Sequence, residues 1–168
     1  MQTAPFFFVF VTLSHGLFLL LAKNSLVSKK SLWWFHYIFN GILWLILIFW
    51  IIKIQFIPAT YHFSFIVQSI GVVFLILGTY LASTSFRLLG MNGVMGSRFF
   101  FPEKSKKVSS GLYAYIQNPT YDGFFLMLIG GGFLFGILTD FYLAGLSIFL
   151  LNYFLASIEN YHISLNPL

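Results

Sequence analysis

The chain has 168 residues, of which 59% are hydrophobic and 8% charged. Soluble domains carry charged residues at about a quarter of positions, so this composition excludes an ordinary soluble protein. The formal charge of +5 needs no nucleic-acid partner, because membrane topology and attraction to anionic lipid account for it. The absence of cysteine removes thiol nucleophiles, disulfides and thiolate metal sites.

In chain order, apolar runs predict helices over about 5–22, 32–54, 63–86, 119–138 and 140–159. Each approaches or exceeds the roughly 20 residues needed to cross a bilayer. The expected fold class is therefore all-α, a polytopic membrane helical bundle of about five transmembrane helices forming a single domain over 1–168. The first run has no basic stretch before it and no small-residue cleavage site after it, so it is expected to remain as a span. His15 and His36 fall inside the first two helices, where a histidine ordinarily bonds a neighbouring helix; with His62 and His162 they form no H-E-x-x-H pattern, and no metal site is expected.

Charge sets the expected orientation. Lys23, Lys29 and Lys30 separate the first two spans, and Arg87, Arg98, Lys104, Lys106 and Lys107 separate the third and fourth. The positive-inside rule makes both connections cytoplasmic, with the N-terminus outside and the C-terminus inside. The connection over 55–62 and the turn at Thr139-Asp140 then face the opposite side.

The long connection from about Arg87 to Asn118 is the one with room for chemistry, since loops of this length are uncommon in compact domains and often functional. It opens with Gly90-Met91-Asn92-Gly93-Val94-Met95-Gly96. These glycines read either as a helix C-cap and turn, or as backbone that a ligand can approach closely, with N–H groups free for carboxylate or phosphate oxygens. No strand precedes them, which excludes a soluble Rossmann domain. The connection closes on Asn118-Pro119, a helix start with Asn at the N-cap and Pro at the first helical position, followed by Tyr121 and Asp122 in the first turn.

From Gly111 to Gly123 the sequence spells G-x-Y-x-x-x-x-N-P-x-Y-x-G. This segment resembles the signature of the integral-membrane methyltransferases, which include phospholipid N-methyltransferases and isoprenylcysteine carboxyl methyltransferases. Leu89-Gly90-Met91-Asn92-Gly93, followed by Phe99-Phe100, is similar to the glycine segment of the phosphatidylethanolamine branch. Asn118-Pro119-Thr120-Tyr121 also fits that branch better than the R-H-P form of the prenylcysteine enzymes. Two family elements are retained in part: one glycine of a G-x-G, at Gly78, and one of two glutamates, at Glu159 before Asn160. Gln117 stands where an arginine is common. The resemblance covers 72–161, a methyltransferase core.

The resemblance implies a helical bundle that holds S-adenosylmethionine on the cytoplasmic side and admits a membrane phospholipid laterally, in a bacterial inner membrane or the endoplasmic reticulum. Carried over residue by residue, it assigns Gly78, Gly90, Gly93, Tyr113, Gln117, Asn118, Pro119 and Glu159 to the cofactor. The implied reaction is N-methylation of phosphatidylethanolamine or its partly methylated products. Carboxyl methylation of prenylated cysteine and a non-catalytic membrane protein of the same fold are the alternatives. An amine acceptor must lose its proton, and Glu159 is the first candidate base, with Asp122 or His162 behind it. Glu159 serves equally as a ligand for the cofactor's amino group or ribose. Tyr113, Tyr115 and Tyr121 suit cation–π contact with a sulfonium or methylated ammonium, worth ~0.5–2 kcal/mol each, or an interfacial aromatic belt. Arg98 suits a lipid phosphate or a topological anchor. Asn152, two turns before Glu159, is expected to make an interhelical hydrogen bond. The glycines at 130–132 and 136 are expected to serve helix packing.

Overall fold

A computed structural model describes residues 3–23, 28–56, 58–101, 108, 110–155 and 157–158. The elements among the described residues are helices: α1 (Thr3–Lys23), α2 (Lys29–Ile54), α3 (Phe65–Val94), a single turn α4 (Ser97–Phe100), α5 (Pro119–Phe135) and α6 (Leu138–Ser147), which continues as a π-helix over Ile148–Leu155. A 3₁₀ turn at Gly111–Ala114 precedes α5. The fold is an all-helical bundle, and Ala4–Ala22, Lys29–Ile54, Phe65–Phe100 and Leu138–Leu155 are each long and apolar enough to cross a membrane.

α1 and α2 are apolar on every side, so polarity rather than hydrophobicity marks their buried stripes. On α2 the buried residues are Trp33, His36, Asn40, Leu43, Leu47 and Ile54, at the alternating three- and four-residue spacing that keeps one face toward a partner. α1 answers with Ala4, Phe8, Val11, Thr12, His15, Leu19 and Ala22. Trp34, Phe35, Ile38, Leu45 and Phe49 remain exposed on the outer face of α2, where a hydrocarbon solvent imposes no penalty.

α3 and α5 run antiparallel through a glycine seam. A Cβ on Gly71 would lie 2.8 Å from the Gly130 carbonyl oxygen, and one on Gly78 would lie 2.6 Å from that of Gly123. The seven-residue spacing repeats on both helices, so the backbones touch at two levels. Lipid offers no hydrophobic drive for helix association, and close backbone approach supplies it instead. Successive residues of a helix point about 100° apart, and α5 uses this at its three consecutive glycines. Gly130 faces α3, Gly131 faces the Asp140 carboxylate, and Gly132 faces the Phe141 ring.

Two helix ends differ from the sequence expectation. α3 continues past residue 86 to Val94, because Ser83 and Ser85 return their hydroxyls to the carbonyls of Tyr80 and Leu81 and so satisfy themselves within the helix. It kinks at Gly90, where φ is 67° and ψ 169°. α5 stops at Phe135 rather than 138, because Gly136 adopts φ 66° and caps it. At 17 residues α5 is about 25 Å long, yet it follows α3 from Ala82 to Gly71. The Gly136 carbonyl then accepts the N–H groups of Thr60 and Tyr61. The last helix passes from α to π at Ile148.

The bundle therefore has two unlike ends. One gathers the end of α1, the start of α2, the kinked end of α3, α4, the start of α5 and the π-helix. The other joins the end of α2 to the α5–α6 turn by a hydrogen bond from Gln55 to Asp140.

Candidate functional site

The segment Gly90–Phe100 has a held back and an open front. Gly96, with φ 81°, lies against Leu19 of α1. Phe100 is fully buried, with the ring of Trp33 at 5.2 Å and that of His36 stacked at 5.2 Å and 27°. His36 Nε2 lies 3.0 Å from the Met95 carbonyl. A carbonyl only accepts, so Nε2 carries the proton. Asn40 Nδ2 then donates to His36 Nδ1 across 2.9 Å, and the ring is the neutral Nε2–H tautomer. On the other side a Cβ at Gly90 would meet nothing within 4 Å, whereas one at Gly93 would come within 2.9 Å of the Leu89 Cβ of its own turn. Asn92 between them is exposed. Backbone with left-handed geometry and open space in front of it fits close approach by a ligand.

The start of α5 is built as its sequence suggests, with one difference. Pro119 is buried at the first helical position, and the Asn118 carbonyl accepts the N–H groups of Tyr121 and Asp122. The Asn118 side chain makes no capping bond. Its φ of −132° and ψ of 66° depart from the extended geometry that aims an N-cap oxygen at the first turn.

Asp122 is half-buried and receives a hydrogen bond from Asn152 of the π-helix, Nδ2 to Oδ1, at 2.6 Å. Only the amide nitrogen can donate to a carboxylate, so this contact also fixes the Asn152 orientation and leaves its buried Oδ1 without a protein partner. The interhelical role expected of Asn152 is realised, with Asp122 as the partner. Tyr121 is half-buried and packs against the core cluster to which Phe8, Leu47 and Leu128 belong.

The remaining residues named from sequence are spread across this end. Arg98 is half-buried on α4, Tyr113 is half-buried in the 3₁₀ turn, and Gln117 is exposed. Tyr115 is 91% exposed. Gly111, with φ 62°, sets that turn against Leu88 of α3. Gly78 lies apart from the loop, buried in the α3–α5 seam with the Gly123 backbone in the space a side chain would fill. Glu159, Asn160, His162, Lys104, Lys106 and Lys107 lie outside the described residues. Ile158 packs against both the core cluster that contains Leu151 and Leu155 and the one that contains Leu19, Met95 and Phe100, which brings the end of the last described helix to the cluster behind the loop. Sequence reasoning gave His36 only a bond to a neighbouring helix, which it makes at Met95, and did not single out Asn40. Their signal was a polar pair four residues apart on one face of an otherwise apolar helix.

A bundle able to cross a membrane, with an acid–amide pair and an open glycine loop at one end, suits chemistry at a membrane face. The family model described as phospholipid methyltransferase matches residues 66–165. The chain belongs to that family. No curated protein and no solved structure matches it. The match begins in α3, so α1 and α2 precede it.

Proposed function

We propose that this protein methylates the amine of phosphatidylethanolamine or its partly methylated derivatives, using S-adenosylmethionine, at the cytoplasmic face of the membrane in which it is embedded. The observation that carries this reading is the Asn152–Asp122 hydrogen bond. It puts an oriented, half-exposed carboxylate in the first turn after Asn118-Pro119, at the loop end of a family member.

The cofactor would supply the methyl group as an electrophilic sulfonium. The turn at Gly90–Gly93, open at Gly90, is where its carboxylate or ribose would find backbone N–H groups. Tyr113 and Tyr121 border the same end and suit cationic groups. Arg98 suits the lipid phosphate.

An ammonium has no lone pair, so the headgroup must be deprotonated before attack. Asp122 accepts that proton on the oxygen that Asn152 does not hold, with Glu159 as a second acid from the chain that follows Ile158. The neutral nitrogen would then be able to take the methyl group that the sulfonium supplies, the S–C bonding pair remaining with sulfur. Holding the nitrogen in line with the methyl carbon at about 3–3.5 Å would supply much of the rate.

The test is expression in a host that makes phosphatidylethanolamine but none of its methylated derivatives, with methyl-labelled S-adenosylmethionine as donor. Labelled mono-, di- or trimethylated lipid is expected. An inserted protein that binds the cofactor yet labels no lipid would overturn the phospholipid assignment, and label on a prenylcysteine substrate would move the acceptor to a carboxylate. Failure of the purified protein to bind S-adenosylhomocysteine would favour a non-catalytic member of the family.

A further inference from the structure

The two helices outside the family match carry a buried polar cluster that the proposed chemistry does not use. His15, His36 and Asn40 are 4%, 0% and 0% exposed, and the two imidazoles lie 5.0 Å apart between ring centroids. Polar groups within a bilayer-spanning pair are costly and call for a reason. His36 supplies one through its bond to Met95.

Met95 ends α3, and the last carbonyls of a helix have no partner within it. In a low-dielectric setting such an orphan costs several kcal/mol, so whichever donor reaches it decides where the chain can rest. The donor here comes from α2, fifty-nine positions away in sequence. Asn40 completes the arrangement, because donation to His36 Nδ1 leaves the proton on Nε2, where Met95 needs it. Phe100 stacks on the same ring. One imidazole thus holds both the carbonyl before Gly96 and the aromatic anchor after it, while Gly90 stays open in front.

We propose that His36 is a positioning residue for the cofactor loop, with Asn40 fixing its tautomer, so that α1 and α2 form a functional part of the site rather than membrane anchors alone. The inference rests on the cofactor reading above for its use, but the holding of the loop is measurable without it.

The chain has no cysteine, so Met95→Cys introduces a single thiol at a side chain 8% exposed whose backbone carbonyl remains in place. Maleimide labelling of that thiol reports release of the loop. Combined with His36→Leu, labelling should accelerate about tenfold, as expected for losing one buried hydrogen bond. With His36→Gln, whose amide can still donate, it should stay within about threefold of the His36 parent. In the native background the same two substitutions should weaken S-adenosylhomocysteine binding by about tenfold and less than threefold, with KM for the methyl donor rising more than kcat falls. Equal labelling in all three proteins overturns the proposal, as does Gln behaving like Leu. Should His36→Leu fail to insert, Asn40→Leu keeps the ring and removes only the tautomer lock, and an unchanged labelling rate there overturns the proposal too. A wild-type protein that binds no cofactor, with labelling still following His36, would discard the cofactor reading and keep the holding role.

Discussion

The two ends of the bundle solve the same chemical problem in opposite ways. Each pairs a carboxylate with a side-chain amide across helices: Asn152 to Asp122 at 2.6 Å at the loop end, and Gln55 to Asp140 at 2.9 Å at the other. Asp140 is fully buried, and α5 passes so close that a Cβ on Gly131 would lie 2.9 Å from its carboxylate. Asp122 is half-buried, in the first turn of a helix that begins beside a long connection. Each end also carries a glycine of positive φ at a helix boundary. A Cβ at Gly136 would collide with the Tyr61 carbonyl, whereas one at Gly90 would enter open space. Identical groups are sealed at one end and accessible at the other. The difference teaches that access, not the presence of an intramembrane acid, separates the end where we place the site from the sealed one.

Exchanging the tests between the ends should separate rate from stability. Asp122→Asn keeps shape and removes the base; methyl transfer should fall by ~10²–10⁴-fold, unless Glu159 takes the proton. Its melting temperature in detergent should change little. A rate within threefold of wild type would remove Asp122 from the chemistry and leave Glu159, to be tested as Glu159→Gln. Asp140→Leu should do the reverse. It strips the Gln55 amide of its carboxylate partner, leaving it a 3.3 Å contact with the Ile51 carbonyl, and should destabilise by about 1–3 kcal/mol. Turnover per folded molecule should be retained. Lost turnover in a stable Asp140→Leu protein would mean that the sealed end communicates with the site.

Much of this division was legible in the sequence, and the parts that were not have physical causes. Helix number and approximate extent followed from apolar run length, since a bilayer demands long runs. Which faces of those helices meet could not follow from hydrophobic periodicity, because a lipid-facing side is as apolar as a core. Small and polar residues carry that information instead: Gly71 and Gly78 mark one side of the α3 seam, and His36 and Asn40 mark the buried stripe of α2. The pairing of Gly78 with Gly123 was hidden because a packing glycine and a ligand-approach glycine are the same letter. Gln55–Asp140 was hidden because a turn aspartate reads as solvated until its neighbours are known. The signature over 111–123 pointed to the end where we place the site, because turn-forming and ionisable residues collect there beside the start of α5.

The smallest effect tests the comparison most finely. Asn152→Leu leaves the Asp122 carboxylate in place and removes only the donor at 2.6 Å, so the acid loses its orientation but keeps its charge. A hydrogen bond to a charged group contributes about 1.5–3 kcal/mol, but Asp122 is half-exposed, and water replaces part of what Asn152 supplied. Turnover should fall by about three- to tenfold, with the loss in kcat rather than in KM for the methyl donor, since alignment of the acceptor is affected and the Gly90–Gly93 turn is not. Asn152→Asp sharpens this further. It sets a second carboxylate against the first, and the shared proton should move the pH at which activity rises to higher values, because the like charge disfavours ionisation of the pair. An Asn152→Leu enzyme with unaltered kcat would place the pair among structural contacts, equivalent to Gln55–Asp140, and the distinction between the two ends would then rest on the loop alone.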